Sequence, residues 1–124
     1  MLAAPSPALQ QPALVPASQL GPPSEPFAAP PYKSALGAVA NYQSCGVHAR
    51  RVALLDLTAG LRSAEAAAVA KGLGPTLERL RQEYEALMAV SDMAACAGGP
   101  RRALAGARGA VAAFRAWVAA QPAR

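Results

Sequence analysis

Proline divides this chain into two unlike parts. Nine of the twelve prolines fall within residues 1–31, and the next is Pro75. A proline has no amide donor and pushes the residue before it toward extended geometry. The first stretch mixes proline with Ala, Ser, Gln and Gly, and Glu25 is its only charged side chain. Such a segment cannot build helices or a core, so residues 1–32 are expected to be a disordered, Pro/Ala-rich linker. Pro30 and Pro31 mark its end, leaving one domain over residues 33–122.

That domain reads as helical. No proline interrupts it before Pro75, and its β-branched residues never form an alternating run. Leu36, Val39, Ala40, Gln43, Val47, Arg50, Leu54, Leu57 and Leu61 recur at three- and four-residue steps. They predict one helix over 34–61, kinked near Cys45 and Gly46 because interior glycine disfavours helix. Ser63 suits the N-cap of a short helix ending at Gly72, with Glu65 in its first turn. Gly72, Gly74 and Pro75 then break the chain, and Pro75 fits the first turn of a third helix. Leu77, Leu80, Tyr84, Leu87 and Ala94 form that helix's apolar face, and Gly98, Gly99 and Pro100 stop it. A last helix over 101–120 places Leu104, Ala107, Val111, Phe114 and Val118 on one seam. The fold class expected is all-α: a small three- to four-helix antiparallel bundle.

The core of such a bundle is thin. Hydrophobic residues make up 53% of the chain but aromatics only 5%, because about a quarter of the residues are alanine. Alanine favours helix and buries little area. A small alanine-rich core gains from a cross-link or a partner, and the chain has two cysteines. The midpoint between Cys45 and Cys96 falls between Ala70 and Lys71, beside the break at Gly72. In an antiparallel hairpin, residues equidistant from the turn lie side by side. Cys45 and Cys96 are therefore expected to meet at the hairpin's open end as a disulfide, which implies an oxidising compartment.

A competing reading starts from Ser44, Cys45, Gly46, Val47 and His48, which include the only histidine. Cys45 and His48 have a half-site spacing for zinc, with Cys96 and Asp92 as further ligands, or Met88 and Met93 for copper. Strong zinc signatures pair two such clusters, whereas the second here offers one cysteine and one carboxylate. A Cys45–His48 nucleophile pair lacks an orienting third residue and an oxyanion site. No phosphate-binding loop or nucleophile elbow occurs in the sequence. The chain is read as non-enzymatic, without a cofactor or a metal.

Charge concentrates at the C-terminal end. The net charge is +5, and Arg101, Arg102, Arg108, Arg115 and Arg124 have no acidic residue after Cys96. Arg101, Arg108 and Arg115 recur every seven residues beside the seam of the last helix, and Trp117 lies off the seam on the other side. Arg101, Arg102, Arg108, Arg115 and Trp117 form the candidate binding surface, suited to an anionic partner. Gly106, Gly109, Ala110 and Ala113 allow close approach of another helix, including one from a homodimer mate.

No stretch is long and apolar enough to cross a membrane. Met1, Leu2, Ala3, Ala4 and Pro5 are similar to the small-residue end of a secretory signal followed by a mature terminus. The spacing of Cys45 and Cys96, with Trp117 in a following basic helix, loosely resembles small helical periplasmic proteins whose two cysteines clamp a hairpin, including acid-stress chaperones. The resemblance covers about half the chain, carries no diagnostic motif and implies export. The function expected is an exported, periplasmic or secreted domain that binds a protein or envelope component. The alternative is a cytosolic basic module that binds nucleic acid, and a Cys/His metal-binding protein ranks third.

Overall fold

The computed structural model describes residues 31–92 and 95–123. The expected linker over 1–32 falls almost wholly outside these residues, as do Met93, Ala94 and Arg124. Four α-helices are present: α1, Pro31–Gln43; α2, Arg51–Ala70; α3, Gly74–Val90; and α4, Pro100–Ala120. A 3-10 turn, Gly46–His48, lies between α1 and α2. Among the described residues there is no strand. The expected all-α antiparallel bundle is the fold observed.

Two expectations need correction. The single kinked helix over 34–61 is instead two helices joined by a corner. Gly46 adopts φ +63, a left-handed conformation that costs glycine little. Ala49 and Arg50 are then extended, at ψ 119 and 132, which turns the chain back on itself. The short helix capped by Ser63 does not exist separately either, because α2 runs unbroken through that position. Gly60 sits where α4 crosses close: a Cβ there would lie 3.3 Å from Val111 Cγ1. Helix continuity at Gly60 therefore rests on packing that outweighs propensity.

α2 ends in a Schellman motif. Gly72 takes φ +81, the Leu73 amide donates to Ala68 O, and the Gly72 amide donates to Val69 O, both at 2.9 Å. Pro75 stands in the first turn of α3 and Pro100 in that of α4, where a missing amide leaves no helical carbonyl unpaired.

Successive helices run in opposite directions. α1 packs against all three others, whereas α3 and α4 barely touch and flank the α1–α2 pair from opposite sides. The core is built on Tyr32, Tyr42 and Phe114, with Leu57, Leu77, Leu80, Val111 and Val118 around them. Six alanines, Ala35, Ala53, Ala64, Ala68, Ala103 and Ala107, complete it and bring the helix backbones close. The Tyr32 and Phe114 rings lie 4.8 Å apart between centroids.

The apolar face expected of α3 is only half used. Leu77 and Leu80 are buried, Tyr84 is half-buried, and Leu87 is 55% exposed. Ala94 is outside the described residues.

Candidate functional site

The disulfide forms as the spacing predicts. Cys45 and Cys96 are bonded, with Cα atoms 4.7 Å apart and a sequence separation of 51. Their neighbours fasten the same corner. Asn41 Nδ2 donates to Ala97 O at 3.2 Å, and the Ala97 amide donates to Asn41 Oδ1 at 2.8 Å. The Cys96 amide donates to Ser44 Oγ at 2.6 Å, and that hydroxyl donates to Asn41 O, also at 2.6 Å. Cys96 itself is left-handed at φ +51, unusual for a residue with a side chain.

α1 thus ends by gripping the turn that precedes α4. The closed ring holds the α2–α3 hairpin, whose two helices are symmetric about the turn at 71–73. The Cys/His metal set loses both thiolates to this bond. His48 is exposed on the 3-10 turn. Among the described residues no three His, Cys, Asp or Glu side chains gather as a metal site would require.

A polar network missed by sequence reasoning lies at the other end of α1. The Tyr32 hydroxyl donates to Glu65 Oε2 at 2.6 Å and accepts from Arg81 Nη2 at 2.8 Å. Arg81 also pairs with Glu65 at 3.4 Å. Burial and the Glu65 carboxylate together push the Tyr32 hydroxyl up to about 12. One residue comes from each of α1, α2 and α3, so local periodicity gave no sign of it. Below them, Lys71 Nζ donates to Val118 O and Gln121 O, both at 2.8 Å, and to Ala119 O at 3.2 Å. These carbonyls belong to the last turn of α4 and its C-cap, where helical partners run out; Val118 O also accepts the Gln121 amide at 3.1 Å.

The candidate basic surface is divided by the fold. Gly60, Asp56, Arg108 and Arg115 line one open cleft of about 180 Å³ between α2 and α4, floored by Ala53, Leu57, Val111 and Ala112. Arg115 Nη1 reaches across Gly60, 3.8 Å from where a Cβ would stand. Arg101 continues the row one heptad earlier, toward the disulfide. Arg102 falls on the outer face, and its stem covers Gly98, where a Cβ would meet Arg102 Cδ at 2.9 Å.

Trp117 lies on the opposite flank of the core seam from the arginine row. It is half-buried and stacks on Phe114 with ring centroids 6.4 Å apart. Its buried indole N–H has no acceptor among the described residues. The structure therefore unites Arg101, Arg108 and Arg115 and separates Arg102 and Trp117 from them.

Among the described residues the ion pairs lie on the other helices. Lys33 and Arg79 both pair with Glu83, at 2.7 and 3.2 Å, and the Lys33 contact draws the Glu83 carboxyl below its ordinary pKa. Among the described residues no acid pairs with Arg101, Arg102, Arg108 or Arg115. The outward Gly106 and Gly109 meet nothing within 4 Å among the described residues, whereas Ala110 of the same small-residue face packs against the core.

Comparison with protein-family models, with curated proteins and with solved structures found no match. Among the described residues no helix is long and apolar enough to cross a membrane.

Proposed function

We propose that the chain is a non-catalytic binding domain of an oxidising, exported compartment, with the arginine row on the α2–α4 cleft as its contact surface. The observation that supports this best is the Cys45–Cys96 bond. Cross-links of this kind persist in secreted and periplasmic proteins and are rare where thiols are kept reduced. A loop of this length stabilises by about 4 kcal/mol in the chain-entropy account, a large share of what a thin alanine core supplies.

Both sulfurs are consumed by the cross-link, and His48 has no partner chemistry beside it. Unpaired guanidiniums over an apolar floor, by contrast, suit recognition of an anionic group.

Thiol trapping in the native host tests the compartment. Cells are quenched in acid, free thiols are alkylated, and the chain is weighed by mass spectrometry. Cys45 and Cys96 should escape alkylation. Full alkylation of both would remove the export reading, and a salt-dependent gel shift with generic DNA would then favour the nucleic-acid module.

A further inference from the structure

We infer that the arginine row of α4 receives the acidic row of α3 from a second copy of this chain. The inference rests on the reading of that row as the contact surface, and it names the partner.

α3 carries Glu78 and Glu85 seven residues apart on one face, and Asp92 follows after the chain leaves the helix at Ser91; all three are exposed. Among the described residues none of them forms a close ion pair; Glu78 accepts a side-chain hydrogen bond from Gln82 at 3.3 Å and feels the charge of Arg81. α4 carries Arg101, Arg108 and Arg115 at the same step, equally exposed and unpaired. Each seven-residue step rises about 10 Å along a helix. Laid antiparallel, the two rows match in one register: Glu78 opposite Arg115 and Glu85 opposite Arg108. This direction also brings the positive N-terminal end of α3 toward the negative C-terminal end of α4.

A single molecule cannot make these pairs. α3 and α4 flank the α1–α2 pair from opposite sides, so each copy presents one row outward on each side. The complementarity can be met only between copies. Because the two rows lie on different sides, one compact two-fold contact cannot satisfy both, and association runs head to tail.

Small residues assist the contact. Ala105, Ala112 and Ala116 border the arginine row and are exposed, which lets a second helix come near. Asp56, the one acid lining the cleft among the described residues, argues against a uniformly charged phosphate backbone in the same place. Between Glu78 and Glu85 lie Gln82, which is neutral, and Arg81, whose guanidinium is turned to Tyr32 and Glu65. Exposed ion pairs are individually weak, so the association is low in affinity and sensitive to salt.

Sedimentation of the oxidised full chain reads this directly. At about 20 mM salt, where screening is slight, the average mass should rise with concentration, and at about 500 mM it should fall back to the monomer. The double variant Arg108→Glu, Arg115→Glu should remain monomeric at both salts, as should Glu78→Arg, Glu85→Arg. An equimolar mixture of the two should associate again, because each reversed row then meets its complement.

A wild-type chain that is monomeric at every concentration overturns the inference. So do reversed variants that associate like the wild type, or a mixture that stays monomeric. Circular dichroism verifies that each variant is folded. If a reversal unfolds the chain, the Arg108→Gln, Arg115→Gln and Glu78→Gln, Glu85→Gln pairs read the same loss of association. A chain oxidised in its host but monomeric in solution defeats this inference alone. A chain that self-associates but is reduced in its host defeats only the export reading.

Discussion

The side chain of Asn41 is hydrogen-bonded to both backbone polar groups of Ala97, as a neighbouring strand would be, across 56 residues of sequence. With Ser44 it holds the turn before α4 beside the disulfide. Asn41→Ala removes both bonds at once. Because the site is exposed, water replaces part of what is lost, and a destabilisation of about 1–2 kcal/mol is expected in urea unfolding of the oxidised protein. A change within error would show that the disulfide alone holds the corner.

Reducing the disulfide should cost far more. The loss expected is about 4 kcal/mol, which for a domain of this size lowers the Tm by on the order of 15–30 °C. Thermal melts with and without reductant, and of Cys45→Ala, Cys96→Ala, measure it. A shift of only a few degrees would mean that the reduced, unfolded chain is already compact.

Lys71 terminates a helix to which it does not belong. Lys71→Met keeps the stem but leaves the last carbonyls of α4 without their ammonium. We expect a loss of about 1–2 kcal/mol, with faster amide exchange confined to the C-terminal turns of α4. Uniformly faster exchange would indicate that the lysine supports the whole bundle instead.

Tyr32 makes stability depend on alkaline pH. Its hydroxyl holds its proton up to about 12 in the folded protein, against about 10 when unfolded. Folding therefore retains a proton that the unfolded chain gives up. The associated stability is complete below about pH 10 and declines as pH rises toward 12. Tyr32→Phe should flatten this decline while lowering stability at neutral pH, because Glu65 and Arg81 lose their shared partner. Unfolding free energy measured from pH 8 to 11.5 decides; an unchanged slope in the variant would assign the decline to other groups.

Much of the fold could be read from the sequence because its signals are local. Pro75, Gly98, Gly99 and Pro100 punctuate the chain where helices end or begin, and the seam from Ala107 to Val118 keeps a regular period. The cysteine pairing followed from symmetry about a turn, which is also a property of the one-dimensional sequence. The errors arose where packing overrules propensity. Gly60 looks like a helix breaker, yet it is the place where α2 admits Val111; Gly46 looks like a kink, yet it is a corner.

Long-range polar pairing left no trace in the sequence. Tyr32, Glu65 and Arg81 meet only because three helices converge, and the sequence places Trp117 off the seam without showing that Phe114 lies against it. The arginine row was visible as a heptad, but not that among the described residues it forms no ion pair.

The cross-link also sets how the chain bears a load. The bond ties residue 45 to residue 96, so tension applied at the two ends of the protein passes through the sulfurs and bypasses the α2–α3 hairpin. Only α1, α4 and the segments outside them can be drawn out, and the ring keeps its contour. A protease cut inside the ring likewise leaves one covalent piece. In single-molecule stretching, the oxidised chain should stop short of the reduced one by the length of the ring.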